Sequence, residues 1–316
     1  MGTLVGHVAP GLAFCLLGLW HLFNHTKLHS QNPNSYFAHP WFPTSKLKYV
    51  ELYLVVAASS TSVAMELFIG PERHQPLDPD GTIPSNHLHN FEHASISAAF
   101  FSYAALSIVL DWAGPKAQHG LTQLLGAVAF GQQLLMFRLH SSDHVGVEGQ
   151  YHLLLQSAIA VSLVTTLMGI GLPRSFMVSF VRSTSVFFQG VWMVVMGYAL
   201  WTPSFVAKGC FINEEEGHKV VRCGGEDALH RAKSLVNIQF SWLLIVVAAF
   251  VVGFYLVLHR LYAQAIEYTS LTMKGDELVE DSEDVESQEN DVTMKSFIQM
   301  GKISSWGKII RDNVER

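Results

Sequence analysis

Residues 235–262 read LVNIQFSWLLIVVAAFVVGFYLVLHRLY, with no charged side chain before Arg260. A helix needs about 20 mostly apolar residues to cross the hydrocarbon core of a bilayer, and this run is long enough. Working outward, six more stretches qualify, at roughly 5–25, 48–70, 89–112, 118–139, 149–171 and 177–201. The expected fold is all-α, a polytopic transmembrane bundle of seven helices. The fourth stretch is the least apolar, interrupted by Gln132, Gln133 and Arg138, so a six-span bundle is the alternative.

Composition agrees: 49% of the 316 residues are hydrophobic and 15% charged, far below the charge content of a soluble domain. The net charge of -6 reflects an acidic run from Asp276 to Asp291, and nothing points to nucleic-acid binding. The domain reading is a seven-helix transmembrane domain over 1–264, a long polar loop over 202–234 and a tail over 265–316. The tail is expected to be largely disordered, with an amphipathic segment at 294–311 suited to an anionic leaflet. A plain solvated tail is the alternative.

Near the span ends Lys and Arg follow spans one, three, five and seven, as Lys27, Lys46 and Lys48, then Lys116, then Arg174, then Arg260 and Lys274, while the short segments on the other side carry almost none and the long loop 202–234, mixed in charge, counts for less. By the positive-inside rule this places the N-terminus outside and the C-terminus in the cytosol. The N-terminus has no charged segment before its apolar run, so span one is expected to remain as an anchor. Cys210 and Cys223 then share an outer loop in an oxidising compartment, where a disulfide is expected; an inverted topology would leave two free thiols.

Sixteen histidines are many for so apolar a chain. On this topology Glu66, then His89, Glu92 and His93, then His140, Asp143 and His144, then Glu148 and His152 reach one depth from four consecutive helices. Helical spacing makes polar stripes of Ser59, Ser62 and Glu66, of Gln133, Phe137 and His140, and of Glu148, His152 and Gln156. A carboxylate facing lipid is costly, so these stripes should face an internal chamber open toward the outside. Imidazole nitrogen and carboxylate oxygen suit Zn first, with Fe or Mn as alternatives. The candidate metal ligands are Glu66, His89, His93, His140, His144 and His152, with Glu92 and Asp143 as candidate catalytic groups that orient an imidazole or move a proton. The competing explanation is interhelical hydrogen bonding, worth about 0.6 kcal/mol per contact on average. Haem or proton handling ranks behind both. A secondary cluster, His21 and His25, sits at the inner end of span one, where interface anchoring is the commoner role.

Gly6-His7, Pro10-Gly11, the Trp20-His21-Leu22-Phe23-Asn24-His25 segment, Glu66, His89-Asn90-Phe91-Glu92-His93 and Leu139-His140 through Asp143-His144 with His152 together resemble the transmembrane protein 45 family, also called domain of unknown function 716. The resemblance covers about residues 1–262, and the long connector and tail are similar to its plant branch. It implies a multi-pass protein of endomembranes or plasma membrane with no settled activity, plant relatives being linked to virus or stress responses. Two function classes remain: a metal-dependent enzyme acting on a lipid or small molecule, and a noncatalytic binding or trafficking scaffold whose tail recruits cytosolic partners.

Overall fold

The computed structural model describes residues 3–70, 74–139, 146–215 and 218–280, with side chains through residue 263 except that of His218. His140, Asp143 and His144 lie outside the described residues, as does the segment 294–311. Residues 1–266 pack as one compact unit, and 267–316 form a second, of which the helical backbone as far as Glu280 is described.

Among the described residues seven helices are long and apolar enough to cross a membrane, which makes this an integral multi-pass membrane protein. They are α1 (Leu4–Gln31), α2 (Val50–Ala64, continuing as a π-helical turn Met65–Ile69), α3 (Leu88–Ala113), α4 (Gln118–Leu139), α5 (Gly146–Gly171), α6 (Phe176–Trp201) and α7 (Glu226–Glu280). Local sequence marks several ends. Thr3 Oγ1 accepts the Gly6 N–H at 3.0 Å and caps α1, as hydroxyl residues do at helix starts. Gly114, at φ 62°, closes α3 by donating its N–H to the Leu110 carbonyl, a left-handed position that glycine takes without strain.

The two halves of the chain meet where α1 packs along α6. A Cβ on Gly190 would lie 2.5 Å from the Gly11 carbonyl oxygen and 2.4 Å from the Cys15 nitrogen, and one on Gly18 would lie 2.4 Å from the Phe187 nitrogen. Small residues let helix backbones approach in a membrane, where dispersion rather than water exclusion drives packing. Around this seam the core is Leu155 and Ile159 of α5 with Trp192 and Met196 of α6, all fully buried.

The connection between α6 and α7 is not a plain loop. It contains an antiparallel hairpin, β1 (Cys210–Glu215) and β2 (His218–Cys223), with Cys210 directly opposite Cys223. A disulfide joins that pair, and Cys15 is the free cysteine. The α6–α7 hairpin marks one end of the bundle, called here the hairpin end. The segment 32–49 between α1 and α2 marks the other, the connector end.

Gly18→Leu should destabilise the bundle by on the order of 1–3 kcal/mol or more, because the added atoms meet backbone. Thermal unfolding in detergent checks this, with Gly253→Ala, which meets nothing within 4 Å, as the silent control. Denatured, unreduced protein should react with maleimide at Cys15 alone, and reduced protein at Cys15, Cys210 and Cys223. Labelling of all three without reductant would contradict the bridge.

Candidate functional site

Buried polar side chains gather at both ends of the bundle. At the hairpin end, the π-helical turn of α2 sets Glu66 inward, 8% exposed. Such turns often occur at functional positions, since the extra residue re-aims a side chain. Asn90 Nδ2 of α3 donates to Glu66 Oε2 at 2.8 Å, and His93 Nδ1 lies 3.5 Å from Glu66 Oε1. The His89 and His93 rings meet edge to face, and Ser62 and Ser97 hydroxyls pair at 2.8 Å one turn deeper.

On the α5 side of the same end, His152 is 2% exposed, stacked on Phe137 of α4 and edge-on to His7 of α1, which stacks in turn on Trp201 of α6 at 4.4 Å between centroids. The Nδ1–H of His152 donates to the Glu148 carbonyl at 3.0 Å, and that of His7 to the Thr3 carbonyl at 3.1 Å. Only N–H can face a carbonyl, so Nδ1 of each ring carries a proton. Glu148 is buried one turn before His152. Arg222 of β2 forks onto Glu215, and the Glu148 charge adds to that of Glu215 in holding the guanidinium protonated. The Arg222 hydrogen bonds, with that of Asn213, hold the Glu215 carboxyl below its ordinary range. That contribution is present above the ordinary carboxylate pKa and is lost as pH falls through the lowered one.

At the connector end, Arg182 of α6 is buried inside the membrane-spanning part of the fold. Its guanidinium donates to Gln123 Oε1 at 2.7 Å, to His25 Nε2 at 3.3 Å and to the His39 carbonyl at 3.5 Å. His25 Nδ1–H in turn donates to the Tyr36 hydroxyl at 2.8 Å, so both ring nitrogens are engaged. Burial pushes the Tyr36 phenol up to about 12, against the opposing pull of Ser179 and Arg182, which keeps its hydroxyl proton in place at neutral pH. The counter-charge is Glu51 at the start of α2, which accepts from Trp20 Nε1 at 2.9 Å, His21 Nε2 at 2.7 Å and the Phe42 N–H at 2.8 Å. Phe42 lies edge-on to both His21 and His25.

Residues 119–256 match the model of DUF716, described as a family of unknown function. Over these residues the chain is similar to the DUF716 family. The match agrees with the resemblance read from the sequence and is narrower than it. The DUF716 region takes in Gln123, Glu148, His152, Arg182 and the bridged hairpin, while His21, His25, Glu51, Glu66 and His93 come from the part before it.

Of the expected ligands, the fold brings Glu66 and His93 together with His89 beside them, and sets His152 inward at the same end. Glu92 is half-buried next to them. Among the described residues no three His, Cys, Asp or Glu side chains are grouped so as to hold a metal; His140, Asp143 and His144 are outside that set. His21 and His25 lie edge to face with each other and enter the connector-end network through Glu51 and Arg182. Sequence reasoning used His7 only for the family resemblance and passed over Arg182 and Gln123. The charge of Arg182 within an apolar span was the signal that could have found it, because such a charge is functional or paired by default.

Glu51→Ala should leave the Trp20, His21 and Phe42 donors without their acceptor, at a cost on the order of 3 kcal/mol. Limited proteolysis should then open the 32–49 segment, whereas Glu51→Gln, whose amide oxygen still accepts, should leave it more protected.

Proposed function

We propose that this protein is a metal-dependent membrane enzyme acting on a lipid or small molecule, with its centre at the hairpin end. One observation carries the reading: Glu66 and His93 face each other across α2 and α3, with His152 buried at the same end and its Nδ1 hydrogen-bonded to the Glu148 carbonyl. The remaining ligands come from His89, His140 and His144, and Glu92 and Asp143 serve to orient an imidazole or move a proton. Zn suits this set best, with Fe or Mn as alternatives. A bound metal would supply Lewis acidity and an activated water there. With the N-terminus outside and the C-terminus in the cytosol, the site faces the lumen or exterior of an endomembrane or the plasma membrane.

A second reading is a noncatalytic binding or trafficking scaffold, favoured by the tail, whose acidic run and basic-apolar segment suit cytosolic partners and an anionic leaflet. The plant-branch likeness and a place in stress or defence responses belong to this reading.

Elemental analysis of purified protein separates the two. The enzyme reading expects a stoichiometric divalent metal that is lost in His93→Ala and in His152→Ala. Metal-free protein that keeps its fold would sink it, and a preparation without a Soret band removes haem.

A further inference from the structure

A cavity of about 600 Å³ lies at the hairpin end between α5, α6 and α7, within the range of small-molecule sites. Its floor is Val147 and Tyr151 of α5 with Val195 and Ala199 of α6, and its roof is Val206, Ala207 and Val221 from the hairpin segment. The fourth wall is a stripe on α7, Leu235, Gln239, Trp242 and Val246, at helical spacing. From Leu235 to Val246 this wall runs about 16 Å at 1.5 Å per residue. Leu235, Trp242 and Val246 are exposed, Trp242 at 71%, so the cavity opens sideways as a slot where the helix faces the membrane.

What fills such a slot follows from its surroundings. An apolar cavity stays dry, because water finds no partners there. A void beside apolar walls forfeits dispersion contacts on every side. Open to hydrocarbon and closed to water by the hairpin roof, the slot takes hydrocarbon from the bilayer. The polar groups in it are specific. Tyr151 Oη donates to Gln239 Oε1 at 2.6 Å, which leaves the Gln239 amide NH2 as a donor. Within a membrane span a donor needs an acceptor, and an ester or hydroxyl oxygen at the head of an acyl chain provides one.

We propose that the slot between α5, α6 and α7 binds one acyl chain of a membrane lipid, held by its apolar walls and by a hydrogen bond from Gln239 to the lipid's ester or hydroxyl oxygen. This deepens the enzyme reading and rests on it for one point only, that the bound lipid is the substrate. Val147 and Tyr151 of the slot each precede Glu148 and His152 by one position on α5, so the chain lies beside the face that carries the hairpin-end site.

The test is photolabelling of the full-length protein in phosphatidylcholine vesicles that contain a phosphatidylcholine with a diazirine in one acyl chain. Adducts, mapped by mass spectrometry, should concentrate on Val195, Ala199, Leu235 and Trp242 over Val252 and Leu256, which are exposed on α7 outside the slot. Ala199→Trp, which fills the slot, should lower labelling of Leu235 and Trp242 by about tenfold, while Val252→Trp leaves it unchanged. Equal labelling inside and outside the slot in the wild-type protein overturns the proposal, whatever the variants do. Labelling that survives Ala199→Trp in protein with its disulfide and helix content intact overturns it too. Capture of a diazirine sterol in place of the acyl probe overturns the choice of occupant. Metal content measured on the same preparations reports on the hairpin-end site alone, so loss of either finding leaves the other standing.

Discussion

Where α1 runs along α6 there is no room for a methyl group: Gly11 and Gly18 face Gly190 and Phe187 at backbone contact, and Gly197 lies against His7 and Val8. This close seam governs both polar sites. At one end it carries His7 onto Trp201 and against His152. At the other it brings His25 to Arg182. Helices held further apart by side chains would leave those groups too distant to meet, and Arg182 would lose His25 as an acceptor.

The two ends solve the cost of buried polarity differently. At the connector end Arg182 is served by Gln123, His25 and the His39 carbonyl, and Glu51 by Trp20, His21 and the Phe42 N–H. Each group is satisfied by several hydrogen bonds, which suits a low-dielectric setting where unpaired polar atoms are expensive. The segment 36–42 is drawn into the bundle as a result, with Tyr36, Ala38, Trp41 and Phe42 all buried. His119 and Pro173 hold it further, the first donating to the Ala38 carbonyl and the second accepting the Ala38 N–H. At the hairpin end a carboxylate faces an imidazole, Glu66 against His93, and the His7 and His152 rings meet edge to face. That end also carries the covalently tied hairpin and the apolar slot beneath it. The chemistry-bearing side chains, an electrostatic link through Arg222 and an apolar cavity thus share one end of the molecule.

Much of this architecture was legible in the chain. Seven apolar runs announced seven spans because a bilayer sets a minimum length that sequence displays directly. The inward stripes were readable from spacing: Ser59 with Glu66, Gln133 with Phe137, and Glu148 with His152 are buried as the helical period requires. The disulfide followed from two cysteines in one connection. Less legible was the hairpin, since each of its strands is short and mostly polar, and its pairing depends on the other.

Sequence alone determined which residues cross the membrane and which face of each helix is polar, because both depend on distances within one helix and on the contrast between hydrocarbon and water. Only the tertiary structure decided which polar faces meet. His7 with His152, Arg182 with His25 and Glu51 with His21 join residues far apart in the chain, and their pairing depends on how closely α1 packs on α6 and how the 32–49 segment folds back. The slot at the hairpin end is of the same kind: its walls come from three helices and a hairpin, and no single stretch of sequence carries the shape that their packing leaves between them.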